Sequence, residues 1–514
     1  MKDIDKESTR GHNSVSANLT PAIDREQMTI QFYDTPSRKK LTFRPLEPGK
    51  VRMYSCGPTV WDYAHIGNFR CFLFYDVLKR YLQYRGLEVE HVMNLTDVDD
   101  RIVQQVNDRD DGTLDDYVQT YIDGFYDDID ALGILRADRY PRATEHIPEM
   151  LDLIQRLIDN DVAYERDGSV YFAITRFPDY GRFAHLDTSG MRAGARVDTD
   201  KYDKEDVRDF VLWKAWVETD GDLAWDSPWG RGRPGWHLEC SCMSMTYLGE
   251  TFDIHTGGVD LIFPHHQNEI AQSEGATGKT FSQYWMHSEF LNIDGVGMSK
   301  SVGNNMRLRE LRTGEVAGKA AEDVAGFRYF VVTNHYRTTL NFTREALDGA
   351  IRARQRLNRL HGRLLATAED SNNDDTDWAG AIESARSDFI EAMDDDLNAP
   401  RAMAAVFGLA GKAERALSAG RITAAGATMI RTFLEEVSAV LGILGKDEGA
   451  QDQSPPNPEL PEELARMVRD RQQARASKDW ERSDELRDSL AAAGVTLTDT
   501  PDGPTWTWTA ADGA

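Results

Sequence analysis

One stretch near the N-terminal end decides the fold, Lys50-Val-Arg-Met-Tyr-Ser-Cys-Gly-Pro-Thr-Val-Trp-Asp-Tyr-Ala-His-Ile-Gly-Asn68. Its first residues alternate in character and run into Gly57-Pro58, so they predict a strand that ends in a tight turn. A helix should follow, with His65 and Asn68 on one face of its first turn and Gly67 leaving the backbone open. Free N–H groups at a helix start favour an anion, so the stretch predicts a phosphate site. These few residues alone are a weak signal.

Four residues with metal-ligand chemistry also lie in segments typical of active-site loops: Cys56, Cys240, His265 and Glu269. Structural zinc sites usually take paired ligands such as C-x2-C, whereas here Cys56 stands alone and the others follow much later. Such a site would join two halves of one domain. A spacing of four places His265 and Glu269 on one helical face, and thiolate, imidazole and carboxylate together suit zinc better than magnesium or calcium. The alternative is that both cysteines are buried thiols and His265 is a histidine at a helix start.

The loop Gly297-Met-Ser-Lys-Ser301 supplies a lysine between two hydroxyl groups. A flexible ammonium such as that of Lys300 can follow the moving charge of a triphosphate in a transition state. For the pentapeptide alone, an ordinary mobile surface loop is the commoner interpretation.

Taken in this order, the segments resemble class I aminoacyl-tRNA synthetases, and among them the cysteinyl-tRNA synthetases, from about Met28 to about Trp508. His65-Ile-Gly-Asn68 is similar to the HIGH signature, and the loop at 297–301 is similar to KMSKS. Two longer segments, 232–241 and 252–269, resemble the family's own pocket segments and are more specific than either signature. Two positions depart from the family pattern. Asn68 replaces the second His and keeps a hydrogen-bond donor, and Gly297 replaces the first Lys, which leaves Lys300 to meet the phosphates.

The resemblance implies a role for each matching residue. It assigns Cys56, Cys240, His265 and Glu269 as ligands of one zinc ion per chain. It assigns Thr96, Trp236 and His255 as substrate contacts, with His255, Gly258 and Asp260 on the adenosine side of the cleft. It also assigns ATP binding to His65, Gly67, Asn68, Gly258, Asp260 and Lys300, of which His65, Asn68 and Lys300 are expected to be catalytic.

The implied reaction has two steps. The carboxylate of L-cysteine attacks the α-phosphorus of Mg-ATP to give cysteinyl-adenylate and pyrophosphate, and the terminal adenosine of tRNA(Cys) then attacks the acyl carbon. Zinc is expected to select the substrate thiol over the serine hydroxyl, and such ligand-atom selection rejects an analogue by roughly 10⁴ without an editing domain. The substrate sulfur is expected either to add as a fifth ligand or to loosen one of the four, in the first place Glu269. We expect a monomer.

Composition fits a large cytoplasmic enzyme. The 514 residues allow about three or four domains, and the four cysteines are too few for a disulfide framework. No apolar run reaches membrane-spanning length and no charged-then-apolar leader pattern occurs, so we expect neither membrane insertion nor secretion. The net charge of −27 is unusual for an RNA-binding protein, and 15 lysines stand against 44 arginines. Scarce lysine with abundant aspartate predicts a halophilic cytoplasm, where salt screens self-repulsion; the alternative is an acidic protein without an RNA partner.

The expected fold class is α/β: a Rossmann-like, doubly wound parallel sheet with an inserted connective domain, followed by a helical bundle and a small α+β anticodon-binding module. The expected boundaries are a flexible tail at 1–27, the first catalytic half at 28–140, the insertion at 141–225, the second half with the KMSKS-like loop at 226–342, the bundle at 343–445, a linker at 446–458 and the module at 459–514.

Trp480, Trp506 and Trp508 of the last module are candidates for stacking on unpaired bases, although tryptophans in a small module are at least as often its core. Two other functions stay open. One is an ATP-dependent ligase that joins cysteine to an amino sugar, a paralogue that usually lacks the anticodon module. The other is a non-catalytic RNA-binding paralogue, which Asn68 and Gly297 suggest and which the presence of Lys300 disfavours.

Overall fold

A computed structural model describes residues 29–109, 113–186, 209–298, 303–313, 320–367, 376–445, 460–477, 479–500 and 503–508. The chain divides into two compact units, Met1–Gly445 and Lys446–Ala514. Within the described parts of the chain, no helix combines the length and the apolar character needed to span a bilayer.

The strands of the first unit are β1 (Gln31–Asp34), β2 (Lys39–Thr42), β3 (Lys50–Ser55), β4 (Glu88–Met93), β5 (Ala163–Arg166), β6 (Ser169–Phe172), β7 (Phe210–Ala215), β8 (Gly232–Pro234), β9 (Phe252–Gly258), β10 (Ser282–Ser288), β11 (Leu291–Ile293), β12 (Val296–Gly297) and β13 (Leu340–Phe342). Its helices are α1 (Ile66–Tyr84), α2 (Asp100–Asn107), α3 (Leu114–Ala131), α4 (Ile147–Asp159), α5 (Trp236–Leu248), α6 (Gln267–Thr277), α7 (Leu308–Thr313), α8 (Ala320–Val332), α9 (Arg344–Leu365), α10 (Trp378–Asp394), α11 (Ala399–Ser418) and α12 (Ala424–Leu441).

The catalytic sheet has the strand order β10-β9-β3-β4, and all of its strands are parallel. Every residue of β9 is buried, as expected for a strand covered on both faces of a parallel sheet. Helix α1 connects β3 to β4, so the stretch at 50–68 is the strand, turn and helix that its sequence predicts. The α/β parallel-sheet fold predicted from the sequence is therefore confirmed. The carboxyl ends of β3 and β9 lie at one edge, where ligands of such sheets bind.

A second sheet, with the order β5-β6-β7-β8, is antiparallel and lies between the two halves of the catalytic sheet in the sequence. Its last strand, β8, begins at Gly232, beyond the boundary expected at residue 225. The apolar residues of this sheet share one buried cluster with Tyr54, Cys56, Cys240 and Trp285 of the catalytic domain. The insertion therefore packs directly against the segments that carry Cys56 and Cys240.

The helical region of the first unit shares a core with the helix that carries the HIGH-like signature. Buried side chains of α1, α8 and α9–α12 form one continuous apolar cluster. Asp76 of α1 is buried and accepts a hydrogen bond of 2.6 Å from Arg328 of α8, whose guanidinium also donates to the carbonyl of Leu441. Helix α1 is thus fixed to the helical region by packing and by a buried ion pair.

The second unit contains α13 (Glu462–Ala476), α14 (Trp480–Ala492), β14 (Val495–Thr500) and β15 (Gly503–Trp508). Its two strands pair antiparallel. Val468, Leu490 and Val495 form a buried apolar cluster in this unit, and Trp506 packs against it. Trp480 is 57% exposed, with the guanidinium of Arg475 5.9 Å from its ring centroid. The side chain of Trp508 lies outside the described residues.

Candidate active site and metal centre

The start of α1 is closed by a reciprocal pair of hydrogen bonds. The N–H of Asn68 donates to Nδ1 of His65 over 3.2 Å, and the N–H of His65 donates to Oδ1 of Asn68 over 3.1 Å. This capping box occupies the oxygen of the Asn68 amide. Its Nδ2 makes no hydrogen bond to any described residue, which leaves that donor for a ligand at the helix N-terminus.

Residues on both sides of the KMSKS-like loop contact this helix start. The N–H of Ile66 donates to the carbonyl of Met306 over 2.9 Å, and His65 pairs with Arg307 in an antiparallel bridge. A Cβ added to Gly67 would lie 2.3 Å from Cε of Met298, so the absence of a side chain lets Met298 approach the helix. Lys300 itself lies outside the described residues. The structure therefore brings together both ends of the loop that carries Lys300 and the HIGH-like turn.

The four predicted metal ligands converge from separate elements. Cys56 follows β3, Cys240 lies in α5, Glu269 lies in α6, and His265 belongs to a π-helical turn, Ile262–His266. The two sulfurs are 4.0 Å apart, and Nε2 of His265 is 3.1 Å from Oε1 of Glu269. All four ligand atoms lie within 4.8 Å of one another. The separations and the soft donor set fit one tetrahedral metal ion.

The turn that carries His265 differs from the single helix expected from its spacing to Glu269. Phe263 has extended backbone angles, φ −139° and ψ 131°, so α6 begins only at Gln267. The next residues return to helical geometry, and this preserves the contact between His265 and Glu269. The expected pairing of these side chains is therefore present, although they do not share one regular helix.

Burial sets the charge of this cluster when no cation is bound. It raises the pKa of the Cys56 thiol and of the Glu269 carboxyl well above their usual values, and it lowers the pKa of His265 well below its usual value. All three shifts have loss of hydration as their main cause and favour uncharged forms. A bound divalent ion supplies the positive charge that stabilises two thiolates and a carboxylate in such a pocket.

Hydrogen bonds also connect the two cysteine-bearing segments on the other side of the pocket. The N–H of Gly57 donates to Oδ1 of Asn94, whose Nδ2 donates to Oγ1 of Thr96. The Thr96 hydroxyl donates in turn to Oε2 of Glu239 over 2.9 Å. A Cβ on Gly57 would lie 1.8 Å from the carbonyl oxygen of Asn94, so only glycine fits beside Cys56. This chain fixes the loop after Cys56 relative to the residue that precedes Cys240.

The remaining predicted contacts lie around the same pocket. Trp236 is 39% exposed, and its ring centroid is 4.4 Å from that of His265, so it lies where the pocket meets solvent. His255 is fully buried, and its Nε2 lies 2.8 Å from Oε2 of Glu269. Gly258 is the last residue of β9, and Asp260 is an exposed residue in the turn that follows.

Comparison with known proteins identifies the family. The model of the tRNA synthetases class I (C) catalytic domain matches residues 42–352, a DALR domain matches 388–445, and a cysteinyl-tRNA ligase anticodon binding domain matches 457–506. A cysteine–tRNA ligase of Chlamydia pneumoniae is 44% identical over 481 residues, which cover 92% of this chain and 97% of that protein. The chain belongs to the cysteine–tRNA ligase family.

Other relatives agree with this assignment. A cysteine–tRNA ligase of Geobacillus thermodenitrificans is 40% identical, with 93% of this chain and 99% of that protein covered. Among solved structures, a methionyl-tRNA synthetase of Mycobacterium tuberculosis in complex with methionyl-adenylate has a TM-score of 0.54 at 16% identity, and the match covers 77% of this chain and 90% of that one. This last likeness shows the fold alone. The resemblance to class I cysteinyl-tRNA synthetases stated from the sequence is confirmed.

Several residues of this family member's pocket were not found by sequence reasoning. His237 has its Nδ1 2.8 Å from Nδ1 of His265, and His266 has its Nε2 3.2 Å from the sulfur of Cys56. Glu239 is fully buried and bonded to Thr96. The adjacent histidines at 265–266 were visible in the sequence as a motif, but only the tertiary fold shows that His265 contacts Glu269 and that His266 contacts Cys56. No sequence signal connects Thr96 to Glu239.

Proposed function

We propose that the protein activates L-cysteine with Mg-ATP and transfers it to the 3′ end of tRNA(Cys). The observation that carries this proposal is the buried set of Cys56, Cys240, His265 and Glu269 at the same sheet edge as the capped start of α1. A thiol-selecting site and an anion site at one edge place an amino acid and a triphosphate side by side. Class I synthetase relatives along the whole chain agree with this chemistry.

We propose zinc as the metal because two thiolates, an imidazole and a carboxylate form a donor set suited to it. Bound zinc supplies a soft Lewis acid that prefers a thiolate sulfur to a hydroxyl oxygen. The protein's own residues orient the substrate around it. Trp236 borders the entrance beside His265, and Thr96, held between Asn94 and Glu239, has one remaining lone pair to accept a hydrogen bond from the substrate ammonium.

The phosphate side relies on the start of α1 and on the loop after β12. His65 and Asn68 lock the first turn so that the N–H of Gly67 and Nδ2 of Asn68 are left for the triphosphate, and the missing side chain of Gly67 lets the loop approach. Lys300 neutralises charge as pyrophosphate leaves, while Gly258 and Asp260 contact the adenosine. In the first step, an oxygen of the cysteine carboxylate forms a bond to the α-phosphorus as the bond to pyrophosphate breaks. The terminal ribose hydroxyl of tRNA then displaces AMP.

The second unit is proposed to bind the anticodon, with exposed Trp480 and nearby Arg475 as a stacking platform for an unpaired base. Trp506 supports the core of that unit. We further propose a monomer in a salt-rich cytoplasm, because a net charge of −27 requires strong screening before an RNA backbone can bind.

Incubation of the purified protein with cysteine, ATP and bulk tRNA tests the proposal. Cysteine-dependent pyrophosphate exchange together with cysteinyl-tRNA, detected by mass spectrometry, is the expected result. Exchange without charged tRNA, but with product on an added amino sugar, would favour the amino-sugar ligase. Binding of tRNA without exchange would favour the non-catalytic paralogue.

A further inference from the structure

Arg307, the residue immediately before α7, lies beside the start of α1. It faces His65 in an antiparallel bridge. The N–H of Ile66 donates to the carbonyl of Met306 over 2.9 Å on one side of this pair, and a second backbone bond, of 3.5 Å, lies on the other side. In a pair flanked in this way the two Cα atoms are about 4.5 Å apart and both side chains leave on the same face. The side chain of Arg307 therefore starts on the face where His65 caps the helix.

The guanidinium of Arg307 is held at this position by a single carboxylate. Its Nη2 lies 3.0 Å from each side-chain oxygen of Asp62. Among the described residues, its other N–H groups have no hydrogen-bond partner. The side chain of Arg307 is 39% exposed and that of Asp62 is 18% exposed. An ion pair open to water to this degree is weak, so the guanidinium can exchange the carboxylate for another anion at little cost.

The KMSKS-like loop lacks one cation that the family signature carries, because Gly297 replaces the first Lys. The fold does not require glycine at this position. A Cβ added to Gly297 would meet only Oδ1 of Asn292, at 3.9 Å, and its backbone lies outside the left-handed region that favours glycine. A lysine would therefore fit. Its absence leaves the phosphate side of the site short of one positive charge relative to the signature.

We propose that Arg307 binds the β- and γ-phosphates of ATP and supplies the positive charge that Gly297 lacks. This inference rests on the proposed function. Asp62 holds the guanidinium beside the helix start until the triphosphate displaces it.

The role of Arg307 follows from where charge develops in the first step. An oxygen of the cysteine carboxylate forms a bond to the α-phosphorus, and the electron pair of the bond that breaks goes to the departing pyrophosphate. The planar guanidinium donates two N–H groups to oxygens of that pyrophosphate and keeps its own proton. Because the charge on these oxygens grows as the bond breaks, the interaction is stronger in the transition state than in the bound substrate and raises kcat.

Replacement of Arg307 in the full-length protein tests this role through cysteine-dependent pyrophosphate exchange. Arg307→Gln should lower kcat roughly tenfold to a hundredfold and change the KM for cysteine by less than about twofold, since the cysteine pocket lies apart from the phosphates. Arg307→Lys keeps the charge and loses only the fork, so it should retain most of the activity.

Two further variants separate phosphate binding from a structural role of the ion pair. Arg309→Gln is the matched control, because it removes the same charge two residues further on, where the guanidinium lies 4.1 Å from the ring centroid of Tyr63. It should leave exchange within about twofold of the native rate. Asp62→Asn breaks the same ion pair but keeps the cation, and it should leave exchange within about threefold. Thermal melting of each variant reports any loss of folding.

Gly297→Lys provides a rescue test, because it returns a cation to the KMSKS-like loop. In the native background it should change exchange by less than about twofold, whereas in the Arg307→Gln background it should recover about tenfold or more. Such strong coupling is expected if the two side chains serve the same phosphates. A contact that only holds the chain before α7 in place would not be restored by a lysine at position 297.

The outcomes distinguish this inference from the proposed function. Absence of cysteine-dependent exchange in the native protein overturns the proposed function and the inference with it. Native exchange that persists unchanged in Arg307→Gln overturns the inference alone. An equal loss in Arg307→Gln and Asp62→Asn, without rescue by Gly297→Lys, makes the ion pair structural and also overturns the inference alone.

Discussion

The metal pocket of the first unit and the small second unit use their polar and aromatic side chains in opposite ways. In the pocket, the four proposed ligands are buried, and the loops that carry them are held by further hydrogen bonds. In the described part of the second unit, the buried apolar residues are few and small (Val468, Ala474, Leu486, Leu490 and Val495), and a tryptophan lies 57% exposed at a helix start. The pocket therefore commits its side chains to one ligand geometry, whereas the second unit leaves an aromatic side chain for a partner.

The largest expected effect comes from replacing a sulfur in the pocket. Cys240→Ser removes a soft thiolate while nearly preserving shape, so bound metal should be lost or weakened. The kcat/KM for cysteine in pyrophosphate exchange should fall roughly 10³-fold or more, with a much smaller change in the KM for ATP.

Cys242→Ser is the matched control for that change. Cys242 is buried on the same helix and is not among the candidate metal ligands of the described residues. Metal content and exchange should remain close to those of the native protein. Equal losses of exchange activity in both variants would mean that disturbed packing of the helix, and not loss of metal, accounts for the effect.

The next largest effect is expected at the phosphate loop. Lys300→Ala should reduce adenylate formation by about two or more orders of magnitude and leave cysteine binding nearly intact, because the ammonium acts on charge that develops as pyrophosphate leaves. Lys279→Ala, which removes an exposed ion pair with Glu250, serves as a control. An unchanged exchange rate for Lys300→Ala would show that the loop is not catalytic.

Removal of the second unit should separate cysteine activation from tRNA charging. Deletion from Asp447 onward begins one residue after the boundary between the two units. Cysteine-dependent pyrophosphate exchange should be unaffected, while kcat/KM for tRNA charging should fall on the order of a hundredfold because contacts remote from the chemistry are lost. Charging with normal tRNA affinity would refute the anticodon assignment.

The smallest effects are expected from two tryptophan substitutions in the second unit. One should weaken tRNA binding, and the other should destabilise the unit. Trp480→Ala should cost about 1–3 kcal/mol of tRNA affinity without changing the melting of the unit. Trp506→Ala should instead lower the unit's stability by about 2 kcal/mol, because Trp506 packs on the core. Melting followed by circular dichroism and tRNA binding by filter retention give the two readouts. The reverse pattern would exchange the two roles.

Much of the fold and the membership of the buried Cys/His/Glu cluster were predictable because the relevant signals are local or chemical. The alternation at 50–55, the turn at Gly57-Pro58 and the small polar residues at the helix start determine a strand, a turn and a helix whatever surrounds them. Cysteine, histidine and glutamate in pocket-like segments predicted a metal centre, and the structure brings these four side chains into one buried cluster that fits one.

Other features depend on distant parts of the chain meeting, and no local pattern reveals them. The hydrogen-bonded chain from Gly57 through Asn94 and Thr96 to Glu239 joins three segments, and the contact between His255 and Glu269 depends on how β9 meets α6. Likewise, both the exposure of Trp480 and the packing of Trp506 follow from how two helices meet a hairpin. In each case the residue type was informative, but the direction in which the side chain points could be known only from the tertiary structure.

The most direct test of the central claim, that the pocket metal recognises the substrate sulfur, is a titration of cysteine into protein substituted with one equivalent of cobalt. The account predicts that thiolate-to-cobalt charge-transfer absorption increases when cysteine is added and does not change when serine is added. The Cys240→Ser variant, which should not hold the metal, should give no such increase with cysteine. Stoichiometric cobalt with no spectral response to cysteine would contradict the account and make the site purely structural.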